Sequence, residues 1–132
     1  MRRLAQLLLP AFLVGVTVTA HAQSETVTRL QCNGKFSDFS QGESLEFSVE
    51  GVVVRVKTDR ISITGSAGFD GDYKISSRPE NGVGFVSITN SMYGGFLNRF
   101  SGALDLTASR DANRTGFKFL YIAKCTKANP LF

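Results

Sequence analysis

The stretch "SLEFSVEGVVVRVKT" (residues 44–58) holds two apolar alternations that are out of phase. Leu45, Phe47 and Val49 are apolar at odd positions, whereas Val52, Val54 and Val56 are apolar at even ones. Successive side chains of a strand point to opposite faces, so one regular strand would turn the second set away from the first. The phase must be reset at Glu50-Gly51. A two-residue hairpin turn does this. It pairs Val49 with Val52, Phe47 with Val54 and Leu45 with Val56 on one face, and sets Glu46 opposite Arg55 on the other. A β-bulge at Gly51 within one long strand is the alternative. The hairpin is preferred, because glycine at the second turn position supplies the positive φ that such turns need. Both readings make this a β segment with one apolar face.

The same grammar runs through the rest of the chain. In "NRFSGALDLTA" a turn at Ser101-Gly102 pairs Leu97 with Leu106 and Phe100 with Ala103. In "RPENGVGFVSIT" Pro79 and Asn81-Gly82 mark a turn before the run from Val83 to Thr89. "FDGDYKIS" reads as one strand with Phe69, Gly71, Tyr73 and Ile75 alternating, in preference to a hairpin turn at Asp70-Gly71. "FKFLYIAKC" sets Phe117, Phe119, Tyr121 and Ala123 against Lys118, Leu120, Ile122 and Lys124, a strand expected to be covered on both sides. No long helical period competes. Short strands are expected near 27–36, 44–49, 52–58, 60–64, 69–77, 83–90, 95–100 and 103–109, with a ninth at 116–125.

The chain opens on Arg2 and Arg3, an apolar run from about Leu7 to Val18, and then Ala20-His21-Ala22. That order is a secretory signal peptide over 1–22. A transmembrane anchor is the competing reading. The run is shorter than the roughly 20 residues a span requires, and it contains Pro10. Residues 23–132 then form a single domain. Without Arg2 and Arg3, 13 of the 15 basic residues face 11 acidic ones, so the basic character of the whole chain depends partly on the leader. The charges left are scattered along the sequence, and no basic run marks a nucleic-acid track. The expected location is periplasmic or secreted.

Cys32 and Cys125 are the only cysteines. In an exported protein an even count reads as a disulfide. A disulfide holds its Cα atoms within about 7 Å, so the first and last strands should be neighbours. The expected fold is all-β: an antiparallel meander of about eight strands forming a closed or nearly closed barrel, its termini linked by the disulfide. A sandwich with adjacent terminal strands is the other solution. Leu131-Phe132 would suit an outer-membrane barrel, but Asn129 and Pro130 interrupt the alternation and there is no tryptophan for an aromatic girdle.

"LQCNGKF", "GDYKI", "GGFLNRFSGAL" and "YIAKC…LF" together resemble small exported proteins of alphaproteobacteria. The resemblance implies a periplasmic β-rich domain with one disulfide, carried onto Cys32 and Cys125, and it brings no activity with it. The general plan is also similar to periplasmic barrels that inhibit proteases or lysozymes, a likeness of architecture alone.

Chemistry is sparsely supplied. His21 leaves with the leader, which removes histidine triads and histidine metal sites from the mature chain. Asp70-Gly71-Asp72, with Asp59, lacks the spacing and terminal glutamate of a calcium loop and reads as a solvated turn. Ser66 and Ser101 sit among glycines without the G-x-S-x-G pattern and read as turn serines. Asn113-Arg114-Thr115 matches a glycosylation sequon and reads as a turn. The candidate partner surface is Met92, Tyr93, Phe96, Arg99 and Phe100, residue types enriched at interfaces. The opposing reading buries Phe96, Leu97 and Phe100 in the core and leaves Arg99 solvated, and strand alternation favours it. The expectation is an exported, non-enzymatic binding module without cofactor or metal. It would act as a hydrolase inhibitor or envelope-associated protein, with a protein partner, no nucleic acid and no membrane span after cleavage. The alternative is a carrier holding a small apolar ligand in the barrel mouth, with Phe47, Phe85, Phe117 and Phe119 as the residues that would fill the interior.

Overall fold

The computed structural model describes residues 26–113 and 116–128. The leader, most of the sequon and the terminal Leu131-Phe132 lie outside them. Eight strands follow in order: β1 (Thr28–Asp38), β2 (Leu45–Val56), β3 (Arg60–Thr64), β4 (Gly71–Ser77), β5 (Gly82–Ser87), β6 (Tyr93–Asn98), β7 (Ala103–Ser109) and β8 (Phe117–Lys127). Each pairs antiparallel with its neighbour in sequence, and β1 pairs with β8, so the meander closes into a barrel. Among the described residues no helix is long and apolar enough to cross a membrane.

The phase reset at Glu50-Gly51 is a bulge, not a hairpin. β2 runs unbroken from Leu45 to Val56 against β1, with Cys32 opposite Val52 and Gly34 opposite Val49. Asn33 thus faces both Glu50 and Gly51. Gly51 takes φ +71°, and the Asn33 side chain accepts its N–H at 2.8 Å. The extra residue returns Val52 and Val54 to the inward face of Val49, which is the reconciliation the sequence demands, achieved without reversing the chain. One long strand therefore replaces two expected ones and the total is eight. Glu46, no longer across from Arg55, pairs with Lys35 at 3.3 Å.

The register at Ser101-Gly102 also differs from expectation. Leu97 lies opposite Leu104, not Leu106, because the connection takes four residues, Arg99 to Gly102. Asp70-Gly71 is not a hairpin turn. β4 begins at Gly71, and Phe69 belongs to the loop before it. On β8 only one face is covered: Tyr121, Ala123 and Cys125 are buried, while Ile122 is 54% exposed.

The interior is filled by side chains. Val52, Val54, Ile61, Leu104 and Leu106 are fully buried, with Phe85, Tyr73 and Tyr121 among them. Phe119 packs against this core from a half-buried position, whereas Phe47 and Phe117 sit on the rim, about half exposed. Outward positions carry Lys35, Glu46, Lys74, Asp105 and Lys124, all exposed. That is the reverse of a membrane barrel, which is apolar outside and polar within. The Cys32–Cys125 disulfide joins directly opposed residues of β1 and β8, with Cα atoms 4.0 Å apart.

Two outcomes are expected. Reduction, or replacing both cysteines with alanine, frees a loop of 93 residues and should lower stability by roughly 4.6 kcal/mol in the chain-entropy account, read as a fall in the urea midpoint. Gly51→Ala has open space at its Cβ, so its cost is conformational only: about 1 kcal/mol by the same measurement, and less for Gly51→Asn.

Candidate functional site

The two ends of the barrel are built differently. At the end holding the β3–β4 loop, Phe69 turns inward and is buried. Its ring lies 5.7 Å from that of Phe36, 6.4 Å from Phe119 and 5.8 Å from Tyr93, so aromatics from β1, β8 and β6 converge on it. Asp70 holds this plug in place. Its carboxylate accepts the N–H groups of Gly65 (3.0 Å) and Ser66 (2.7 Å) and the Ser66 hydroxyl (2.6 Å). The same hydroxyl oxygen accepts the Phe69 N–H at 3.0 Å. Partial burial works against ionisation of Asp70, but the three hydrogen bonds outweigh it and hold its carboxyl below the ordinary value of 3.8. Asp72 accepts from Ser62 instead, and Asp59 is at the far end of the barrel. The three acids weighed as calcium ligands are therefore divided among separate tasks. The two buried phenols are likewise committed. Tyr73 donates to the Phe69 carbonyl at 2.6 Å and Tyr121 to that of Val49 at 2.8 Å, beside the bulge. Burial, then the neighbouring Tyr93 and Asp70, push Tyr73 up, and burial with Glu50 raises Tyr121 to about 12.

The opposite end has no plug. It is a mouth of about 680 Å³, floored by Leu30, Val56, Val83 and Leu97 and by Cys125 of the disulfide. Arg78, Glu80, Arg99 and Lys127 stand on its rim. The β6–β7 turn overhangs it in a fixed shape. The Asn98 side-chain oxygen accepts the N–H groups of Phe100 and Ser101, both at 2.9 Å, and the Asn98 carbonyl accepts that of Gly102 at 3.0 Å. Gly102 has φ +77°, and a Cβ there would lie 2.4 Å from the Cys125 carbonyl oxygen. Only glycine lets the turn press against β8 so closely. Phe100 projects from this turn, 74% exposed, with the Arg99 guanidinium 5.5 Å from its ring centre.

The fold divides the expected partner surface. Arg99 and Phe100 stand at the mouth. Met92 and Tyr93 lie at the plugged end, where Tyr93 packs on Phe69. Phe96 lies between the ends, its ring over Gly82 of the neighbouring strand. Of the core expected in the opposing reading only Leu97 is buried.

What the linear sequence hides is the charge. Seven cations and two acids lie in the turns and last two strand residues of the mouth end. Arg29 and Arg55 face each other across β1 and β2, Lys57 and Arg60 flank the β2–β3 turn, Arg78 and Arg99 occupy the next two turns, and Lys127 ends β8. Asp59 and Glu80 are the acids. The plugged end, counted the same way among the described residues, has six acids against Arg110 and Lys118. The near-neutral domain is thus electrically polar along its axis.

No family model, curated protein or solved structure matches this chain. Its class is defined by architecture: an eight-stranded antiparallel barrel stapled by one disulfide, with one plugged acidic end and one concave cationic end.

Because the Asp70 carboxyl is held below its unfolded value, its contribution is fully present above pH 3.8 and is lost as pH falls through the lower folded value. Asp70→Asn should cost about 1 kcal/mol at neutral pH, a modest figure because the group is largely solvated. Urea midpoints of variant and parent should converge in strong acid.

Proposed function

We propose that the protein is an exported, non-enzymatic binding module of the cell envelope that meets an anionic partner through the mouth end of its barrel. The observation that carries this reading is the gathering of seven cations, against two acids, around a concave apolar floor and an exposed aromatic. Complementary charge guides encounter and orientation, and a pre-formed turn presents Phe100 with little ordering cost. Export is supported by the leader pattern of residues 1–22 and by the disulfide. The non-enzymatic reading is supported by the commitment of the reactive side chains. Both sulfurs are oxidised, the two buried phenols donate to backbone carbonyls, and Ser66 is fully buried, its hydroxyl held between the Asp70 carboxylate and the Phe69 N–H.

A carrier of small apolar ligands draws on the same mouth. The packed interior confines such a ligand to the mouth's floor, between Leu30, Val56 and Val83.

Photo-crosslinking distinguishes the two ends. A benzophenone side chain replacing Phe100 should form adducts in intact envelopes, and the same group replacing Phe47 at the plugged end should not. Adducts should vanish in Arg78→Glu/Arg99→Glu. Equal labelling from both positions, or none from either, would sink the assignment of the mouth.

A further inference from the structure

We infer that the anionic partner of the mouth end is a lipid surface: the barrel stands end-on against a bilayer rich in anionic headgroups, with Phe100 seated at the boundary between headgroups and chains. The inference rests on the mouth-end reading above and adds the chemistry of what is met there.

The number and layout of the cations come first. One carboxylate or phosphate needs two or three of them. Here seven encircle the end, four from the ends of β1, β2, β3 and β8 and three from the turns between, and those on the outer faces of β1 and β2 ring the mouth without lining it. A ring of that kind matches an extended array of negative charge. Each Lys or Arg near an anionic leaflet adds a factor of about five to binding, an effect that fades beyond a Debye length of about 10 Å in moderate salt.

Apolar groups stand on the same end. Phe100, at the tip of the β6–β7 turn, and Val27, which is 44% exposed just before β1, leave the barrel there. Two apolar groups beside cations suit the interface, where a ring and a branched chain reach the acyl boundary and basic side chains reach the headgroups.

The same features argue against a polynucleotide. A strand of bases would require successive stacking platforms along a basic groove. Phe100 is the sole exposed aromatic of this end among the described residues, and the floor between the cations is aliphatic.

The absence of tryptophan from the sequence makes a direct test available. Phe100→Trp places a single reporter at the mouth, and Phe47→Trp places one at the plugged end. With vesicles of mixed phosphatidylcholine and phosphatidylglycerol, emission from the mouth reporter should shift to the blue and emission from the plugged-end reporter should not. Pure phosphatidylcholine should leave both unchanged. Co-sedimentation of the unmodified protein with the anionic vesicles should fall at least about tenfold between roughly 50 and 500 mM salt, and by a similar factor in Arg78→Glu/Arg99→Glu. An unmoved mouth reporter, equal shifts at both positions, or salt-independent co-sedimentation overturns the inference. A response of the mouth reporter to a single-stranded oligonucleotide but not to vesicles overturns it too. Because co-sedimentation uses the native chain, a poorly folding tryptophan variant leaves the question decidable. Negative vesicle data together with protein adducts at position 100 would remove the lipid assignment and leave the mouth as the binding end.

Discussion

Closure of the barrel depends on one seam, β1 against β8. The other contacts between strands join sequence neighbours and need only short turns. This seam brings together segments separated by most of the chain, from Leu30 opposite Lys127 to Asp38 opposite Phe119. Loop closure over such a length is entropically the dearest contact in the molecule. The disulfide lies within the seam, on residues directly opposed, so the covalent bond and the hydrogen-bond ladder specify the same register. A slip of one residue would break both, and would also turn Phe36 and Tyr121 from core to solvent.

The apolar pattern makes most of this frame legible from the sequence. Strand alternation, the turn residues and the cysteine pair imply a closed meander, and the barrel is one. The error at Glu50-Gly51 has a physical cause. A turn and a bulge both insert an element that restores phase, and both favour glycine at positive φ. Local pattern cannot separate them. The partner decides, and here it is β1, which offers ladder bonds along the whole of β2 and a side-chain acceptor, Asn33, for the displaced Gly51 N–H. The slip at the β6–β7 turn is similar. Asn98 folds the chain by capping Phe100 and Ser101 with its side chain, an arrangement that lengthens the connection and throws Phe100 outward.

The candidate site was far less legible, again for a reason of geometry. In an antiparallel meander consecutive turns lie at opposite ends of the barrel. Charges that meet in space therefore alternate along the sequence with charges that never approach them. Lys57 and Arg60, Arg78, and Arg99 lie in or beside every second turn, separated by Asp70 and by loops of the other end. Read along the line they form a scattered, nearly neutral mixture. Summing the charge over alternate turns would have revealed the polarity once a meander was accepted. Met92 and Phe100 illustrate the converse. They are close in sequence yet stand at the two ends of β6, six residues or roughly 20 Å of strand apart.

The asymmetry between the ends also separates what folding requires from what it does not. The plugged end spends its polar groups inward: Asp70 fixes the loop that places Phe69 over the core, and its ionisation is coupled to that closure. The cations of the mouth make no comparable contribution. Among the described residues only Arg60 of these cations is within ion-pair distance of an acid, Asp59 at 3.7 Å, and only Arg78 reaches across to another turn, donating to the Thr58 carbonyl. Like charges drawn together repel, and the repulsion weakens the compact state without improving its packing. The barrel would close as well with those cations spread over both ends, since none is part of the core. Their concentration around the unplugged end, beside an exposed phenylalanine held by a glycine-dependent turn, is therefore a feature that stability does not explain and that the proposed anionic partner would.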